Sequence, residues 1–350
     1  MNILFMMDQR ANAGSIQAVA CYVRAGDEFG HTIALYGRPD AKYPGIRWST
    51  EVDAFDRVVL IVENRMSWPS GLPLLRLLSQ VPRERRAILD TDGMYNRVLS
   101  VDMYDRNHTD ENSRDCWVTR CAALADKILQ PTFQPLEAVV LPVPFYGYDQ
   151  SLRVAPGARR KRFDIMHVGH NWWRWREMSS CLLPAIKSIR PKLDGICFVG
   201  LWWEAVPSWV REQKLELAID VDSDQLHRLN IEIEPAVSFT DVIPVMSEGR
   251  VNIMTQRPLF RQLQLLTAKY FEIFCADTIP LVMLDPIHAE SVYGPSGRDL
   301  ALHGNVAGRL LDAIENPTKY HERVEEVRSH LAAHHSYRNR VQELVHALNH

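Results

Sequence analysis

The sequence predicts an α/β protein of two Rossmann-like, doubly wound domains with C-terminal helices, on three observations. Short apolar runs alternate with helix-compatible stretches through the first half. The alternation restarts after a basic segment, ARRKRFD at Ala158–Asp164, and from about Val306 only helical periodicity remains. Apolar runs of about five to eight residues between helical segments denote a parallel sheet covered on both faces, whose strands have no polar face to alternate. At 350 residues the chain exceeds one ordinary core, so two domains of roughly 150–200 residues are the natural division. The expected boundaries are 1–150 and 163–325, with a final helix at 326–350 returning to the first domain.

Each element follows in order. NILFMMD is the first strand, QRANAGS a loop, and a helix runs from Ser15 to about Phe29. HTIALYG and RVVLIVEN are strands, LPLLRLLSQV is a Pro-bounded apolar segment, and RAILDTDG runs into a turn. SRDCWVTRCAALA is helical, DKILQPT is another strand, and AVVLPVPFYGYD closes this half with prolines that suit a crossing segment. In the second half FDIMHVGHN is a strand entering a glycine turn, WRWREMSSCLLPAIKSI a helix, and GICFVGLWW a strand. LNIEIEP and RVNIMTQ are short strands flanking a helix in FTDVIPVMSEG. Next comes LLTAKYFEIFCADTIPLVMLD. At about 100° per residue, Leu265–Ala276 turns apolar side chains in every direction, which predicts a buried helix. Lys269 and Glu272 lie on one side of it, either as a buried ion pair or as groups awaiting a ligand.

Composition narrows the function. The chain is 46% hydrophobic and 24% charged with net charge −3, which argues against a general nucleic-acid binder. No run approaches the roughly 20 apolar residues of a membrane span, and the start lacks the pattern of a secretion signal. Six cysteines without metal or C-x-x-C spacing suggest reduced core thiols in a cytoplasmic protein. No G-x-G-x-x-G, G-x-S-x-G, H-E-x-x-H or Walker sequence occurs.

In sheets of this kind ligands collect beyond the carboxyl ends of strands, and two such domains are expected to face each other across a cleft. Four places qualify. Gly14 and Ser15 open a helix after the first strand, as a substrate-facing loop or a simple helix start. Gly169, His170, Asn171, Arg174 and Arg176 follow a strand at a helix start, where cations oppose the helix dipole and an anion would relieve the conflict. The alternative is surface arginines beside packed tryptophans. Asp90 and Asp92 in ILDTDGMYN suit a divalent cation, an Asp-Gly turn or acceptor-side chemistry. His108 in DRNHTDENS is a solvated loop histidine or a base.

VNIMTQRPLFRQLQLLTAKYFEIFCADTIPLV and the closing helices, with His335-x-Tyr337-x-x-Arg340, resemble the carboxyl-terminal domain of GT-B glycosyltransferases. FDIMHVGHNWWRWREM resembles the same domain's strand, glycine turn and Arg-Glu helix. The resemblance is to the glycosyl transferases group 1 type found in CgeB-like spore maturation proteins. It implies a nucleotide-sugar donor domain in the second half and an acceptor domain in the first. Glu272 would accept hydrogen bonds from the ribose hydroxyls, Lys269 would lie near the diphosphate, and Gly169 and Arg176 would line it. It further implies sugar transfer from a UDP- or GDP-linked donor without metal or other cofactor. The base would come from Asp92, Glu63 or His108, and the acceptor would be a glycan, lipid or protein but not a nucleic acid. Peripheral membrane contact stays open. Asp277 stands where the family has a small residue, and Leu265 and Gln264 precede Glu272 where retaining relatives carry a second glutamate. Inversion or retention is therefore undecided. The rival functions are a non-catalytic sugar-nucleotide or glycan binder of the same fold, and a sugar-nucleotide epimerase.

Overall fold

The computed structural model describes residues 1–7, 14–63, 72–96, 114–212, 215–216 and 218–350, so His108 lies outside the described residues. The chain divides into two compact units. The first comprises Met1–Tyr148, Gln262–Ala268 and His335–His350; the second comprises Asp149–Arg261 and Lys269–His334.

The first unit is built on seven parallel strands: β1 Asn2–Met6, β2 Thr32–Tyr36, β3 Trp48–Ser49, β4 Arg57–Val62, β5 Arg86–Asp90, β6 Lys127–Gln130 and β7 Val140–Pro142. They lie in the order β3-β2-β1-β4-β5-β6-β7. Leu4 is paired with Ala34 on one side and Val58 on the other, and all three are fully buried. That burial on both faces is why the strands read as continuous apolar runs. Among the described residues, the helices Gly14–Glu28, Leu72–Gln80, Arg114–Leu124 and Tyr337–Asn349 belong to this unit. Phe145 stacks on Tyr22 with ring centroids 5.0 Å apart, and Tyr337 meets Tyr22 edge-on at 5.7 Å. Arg340 is fully buried beside them. Its Nε–H donates to the Tyr146 carbonyl at 2.9 Å, and its other nitrogens meet Glu343 and His335. Paired in this way, a buried guanidinium is tolerable.

The second unit holds β8 Phe163–Val168, β9 Ile196–Val199, β10 Glu232–Glu234, β11 Gly249–Met254 and β12 Ile279–Val282. Their order is β10-β9-β8-β11-β12, again all parallel. Asp277, unplaced by the sequence, anchors the basic segment. Its carboxylate lies 3.1 Å from Lys161 Nζ and accepts the Gly157 N–H at 3.0 Å, while its own N–H donates to Ser247 Oγ at 2.9 Å.

One expected element is shorter. The helix predicted over Leu265–Ala276 spans Lys269–Cys275. Residues 265–268 are outside it and belong to the first unit, where the Leu266 N–H donates to the Pro131 carbonyl at 2.6 Å. Leu265 and Leu266 are apolar because they are buried there, and periodicity cannot separate such a segment from a buried helix.

Each sheet reverses strand order once near its centre, between β1 and β4 in the first and between β8 and β11 in the second. Loops leaving adjacent strands at such a switch point turn to opposite faces, opening a crevice at the carboxyl edge.

Candidate functional site

At the second sheet's switch point, β8 continues into Gly169–Arg174 and β11 into Thr255–Arg257. The first of these loops is rigidly held. The amides of Gly169, Asn171 and Trp173 donate to the carbonyls of Val199, Leu201 and Ala218 at 2.8, 3.0 and 2.7 Å. Trp203 Nε1–H donates to the Gly169 carbonyl at 2.9 Å. A Cβ on Gly200 would lie 2.3 Å from that carbonyl oxygen, so the two strand-end turns approach closely only because Gly200 is a glycine. Trp173 and Trp202 carry positive φ angles of 58° and 68°, unfavourable for large L-residues. Asn171 helps hold the second. It is fully buried and donates to the carbonyls of Trp202 at 3.0 Å and Asp220 at 2.8 Å. Its amide group thus braces the loop, whereas the sequence reading had it meet the donor.

Cations gather on this frame. Arg174 Nη1–H donates to the His170 carbonyl at 2.5 Å, and no carboxylate among the described residues pairs with it. Burial and the neighbouring Arg257 lower its pKa to about 9. Lys269 Nζ lies 3.4 Å from Glu272 Oε2. Burial pulls the ammonium pKa down, Glu272 opposes that, and Arg174 adds to it. His170 Nδ1 accepts the Leu201 N–H at 3.0 Å, which assigns the ring proton to Nε2. Desolvation, then Arg174, Lys269 and Arg257, depress this imidazole to about 4, so it is neutral at pH 7. Burial is the first cause of all three shifts, and repulsion from neighbouring cations adds to it, a contribution that an anion would offset. Arg257 was missed by the sequence reading; its signal was its place directly after RVNIMTQ. Arg176 is exposed, and its charge is absent from the interactions that shift His170, Arg174 and Lys269. The structure thus brings Arg174 into the cluster and leaves Arg176 on the surface.

The first sheet's switch point is lined differently. Ser15 follows β1, Glu63 follows β4, Asp92 follows β5 and Tyr146 follows β7. Ser15 Oγ–H donates to Glu63 and lies 2.9 Å from the Tyr146 hydroxyl. Burial raises the Tyr146 pKa well above the ordinary phenol value, and the charges of Glu63 and Asp92 add to that. The phenol is therefore a neutral hydrogen-bond donor. Tyr146 was not foreseen, because PVPFYGYD reads as a crossing segment. Gly14 has a packing reason, since a Cβ there would come within 3.1 Å of Ala268 Cβ. The two aspartates of ILDTDGMYN separate in role. Asp90 is buried and accepts from the amides of Met94 and Tyr95 at 3.0 and 2.7 Å and from Gln130 Nε2 at 2.9 Å. Asp92, half-buried, stays beside Tyr146. Among the described residues no group of three or more His, Cys, Asp or Glu side chains is arranged to hold a metal ion, and no helix is long and apolar enough to cross a membrane.

No protein-family model matches the chain, and no curated protein sequence does. Solved structures do match. The β-glucosyltransferase of T4 phage is 11% identical with a TM-score of 0.59, over 100% of both chains. The same T4 phage enzyme in complex with UDP and Mn²⁺ gives the same values. An α-glucosyltransferase in complex with UDP and a 13-mer DNA containing an A:G mismatch is 13% identical, with a TM-score of 0.60 over 100% of this chain and 99% of that one. The fold is thus the α/β, parallel-sheet fold of GT-B glycosyltransferases.

Proposed function

We propose that the protein is a glycosyltransferase that moves a sugar from a nucleoside-diphosphate donor to an acceptor hydroxyl. The observation that carries this reading is the cationic cluster at the β8/β11 switch point, with Glu272 beside it. Arg174, Arg257 and Lys269 would bind the donor diphosphate and stabilise the charge that develops as it leaves. Glu272, ion-paired with Lys269, would take the ribose hydroxyls. Solved structures of the same fold with UDP-glucose support the donor class. In the first unit, Asp92 would remove the proton from the acceptor hydroxyl. Glu63 already accepts from Ser15 and would orient Ser15 and Tyr146 toward the acceptor.

A neighbour of this fold contains Mn²⁺. Here Asp90 of the Asp90–Asp92 pair is already engaged by three donors. The charge that a divalent ion would neutralise falls instead to the three cationic side chains, Arg174, Arg257 and Lys269. Transfer that persists in EDTA is the expected result; loss restored by Mn²⁺ would overturn that assignment.

Titration with UDP and GDP, followed by incubation with the matching labelled sugar donors, tests the central reading. Binding of one nucleotide and release or transfer of its sugar are expected. If neither nucleotide binds at millimolar concentration, the donor site is misassigned. If the sugar is inverted at C2 with no acceptor present, the protein is an epimerase. A specific observation widens the acceptor question: α-glucosyltransferases of this fold have been crystallised with DNA, including a 13-mer carrying an HMU base. Net charge −3 favours a glycan, lipid or protein acceptor instead. Labelled glucose appearing on HMU-containing duplex DNA would reverse that preference.

A further inference from the structure

Arg257 and Lys269 each stand next in the chain to a buried polar residue, and those two residues are joined. Gln256 follows β11, and Tyr270 lies in the helix Lys269–Cys275. Both are buried, and Gln256 Nε2–H donates to the Tyr270 hydroxyl. That hydroxyl lies 3.4 Å from Nε2 of His288, which is buried in the helix Pro286–Tyr293. Burial raises the Tyr270 pKa well above the ordinary phenol value. The neutral phenol accepts from Gln256 and has its own proton to give to His288.

Apolar side chains would fill this space without the cost of desolvating an amide and a phenol. A buried hydrogen bond adds direction: it holds two backbones at one separation, where apolar packing lets them slide. The separation matters because of what the neighbouring residues carry. Successive residues leaving a strand point to opposite sides, and successive helical residues point about 100° apart. Gln256 and Tyr270 therefore enter the core, while Arg257 and Lys269 remain partly exposed. Both cations act on the same imidazole, that of His170. The Arg257 guanidinium also rests 4.6 Å from the centre of the Phe260 ring, which ties it to the chain segment that follows β11. Lys269 belongs to the helix. The bond between Gln256 and Tyr270 joins these two carriers.

We infer that Gln256 and Tyr270 are a positioning pair that holds Arg257 and Lys269 at the spacing of two linked phosphates. This rests on the donor-site reading, in which those cations bind the diphosphate; the pair itself does not touch the ligand. One cation can meet a single phosphate wherever it stands. A diphosphate must be met by both at once, so the pair governs preference for a nucleoside diphosphate over the monophosphate.

Tyr270→Phe removes the hydroxyl and keeps the ring; Gln256→Met removes the amide and nearly keeps the volume. Calorimetry compares UDP with UMP, or GDP with GMP if the wild type selects guanine, at a temperature where melting curves show each protein folded. Each variant should weaken the diphosphate by about tenfold and the monophosphate by no more than about threefold. The double variant should lose no more than either single one, because both break the same bond. Tyr293→Phe controls for disturbance of the core. Tyr293 is fully buried with its ring centroid 6.2 Å from that of Tyr270, and its hydroxyl meets no hydrogen-bond partner among the described residues. This variant should leave both affinities within about twofold. Equal losses for the two nucleotides, or a Tyr293→Phe loss matching that of Tyr270→Phe, would reduce the pair to ordinary packing and overturn the inference. Unchanged diphosphate affinity in Tyr270→Phe and Gln256→Met would overturn it with the donor site intact. Failure of the wild type to bind any of the nucleotides would remove the donor reading and the pair's role together. If Tyr270→Phe does not fold, Gln256→Met carries the comparison.

Discussion

The two sheets share one topology and differ in charge. Both are parallel and both reverse order near the centre. Around the β1/β4 reversal stand Ser15, Glu63, Asp92 and Tyr146, which offer carboxylates and hydroxyls. Around the β8/β11 reversal stand His170, Arg174, Arg257 and Lys269, with Glu272 as a close counter-charge. A fold rule says where a ligand binds but not which one. In the proposed reaction, that difference in lining divides proton removal from anion binding.

The contrast can be broken from either side. The largest effect is expected at the acidic end. Asp92→Asn should lower kcat by roughly 10²–10⁴, the range for a general base, while UDP affinity is unchanged in a binding titration. If UDP affinity falls with kcat, the division of labour is wrong. Arg340→Ala tests the support of Tyr146 and should destabilise the fold by about 3–5 kcal/mol, as when one partner of a buried charged network is removed; a denaturant midpoint measures it. At the basic end, Glu272→Ala should weaken nucleotide binding by roughly 1–3 kcal/mol, and unchanged affinity in a folded variant would end its ribose role. The smallest effect concerns pH. His167 and His170 have folded pKa values lowered to about 3 and about 4, against about 6.5 unfolded. Between those values the unfolded chain binds more protons, so stability is full above about 6.5 and falls as pH drops toward 4. His170→Gln should flatten part of that decline in Tm.

Much of the fold was legible because strands buried on both faces advertise themselves. RVVLIV and FDIMHV became β4 and β8. Two-residue β3 carried too little sequence to announce itself. Leu265–Ala268 misled because burial outside a helix and burial within one leave the same apolar letters. In the candidate site, Gly169, His170 and Arg174 stood out from strand-end and helix-start chemistry, whereas the roles of Lys269 and Glu272 came from the family resemblance. Arg257 and Tyr146 were not, because their importance comes from which strands lie side by side. Asn171 and Asp90 looked like ligand groups, yet the structure uses them on backbone groups: Asn171 gives hydrogen bonds to two carbonyls and Asp90 accepts them from two amides. Polar residues at turns serve both purposes, and only the hydrogen-bond partners separate them.

The first unit is assembled from three separate pieces of chain, and the last of them carries Arg340. During synthesis its sheet strands leave the ribosome long before the helix Tyr337–Asn349 that covers Tyr22 and holds the Tyr146 carbonyl. The second unit, closed by residue 334, has all its own material first. The half of the molecule translated earliest is therefore the last able to complete its core. Until then, the Tyr22 ring stacked on Phe145 lacks the Tyr337 edge that packs against it.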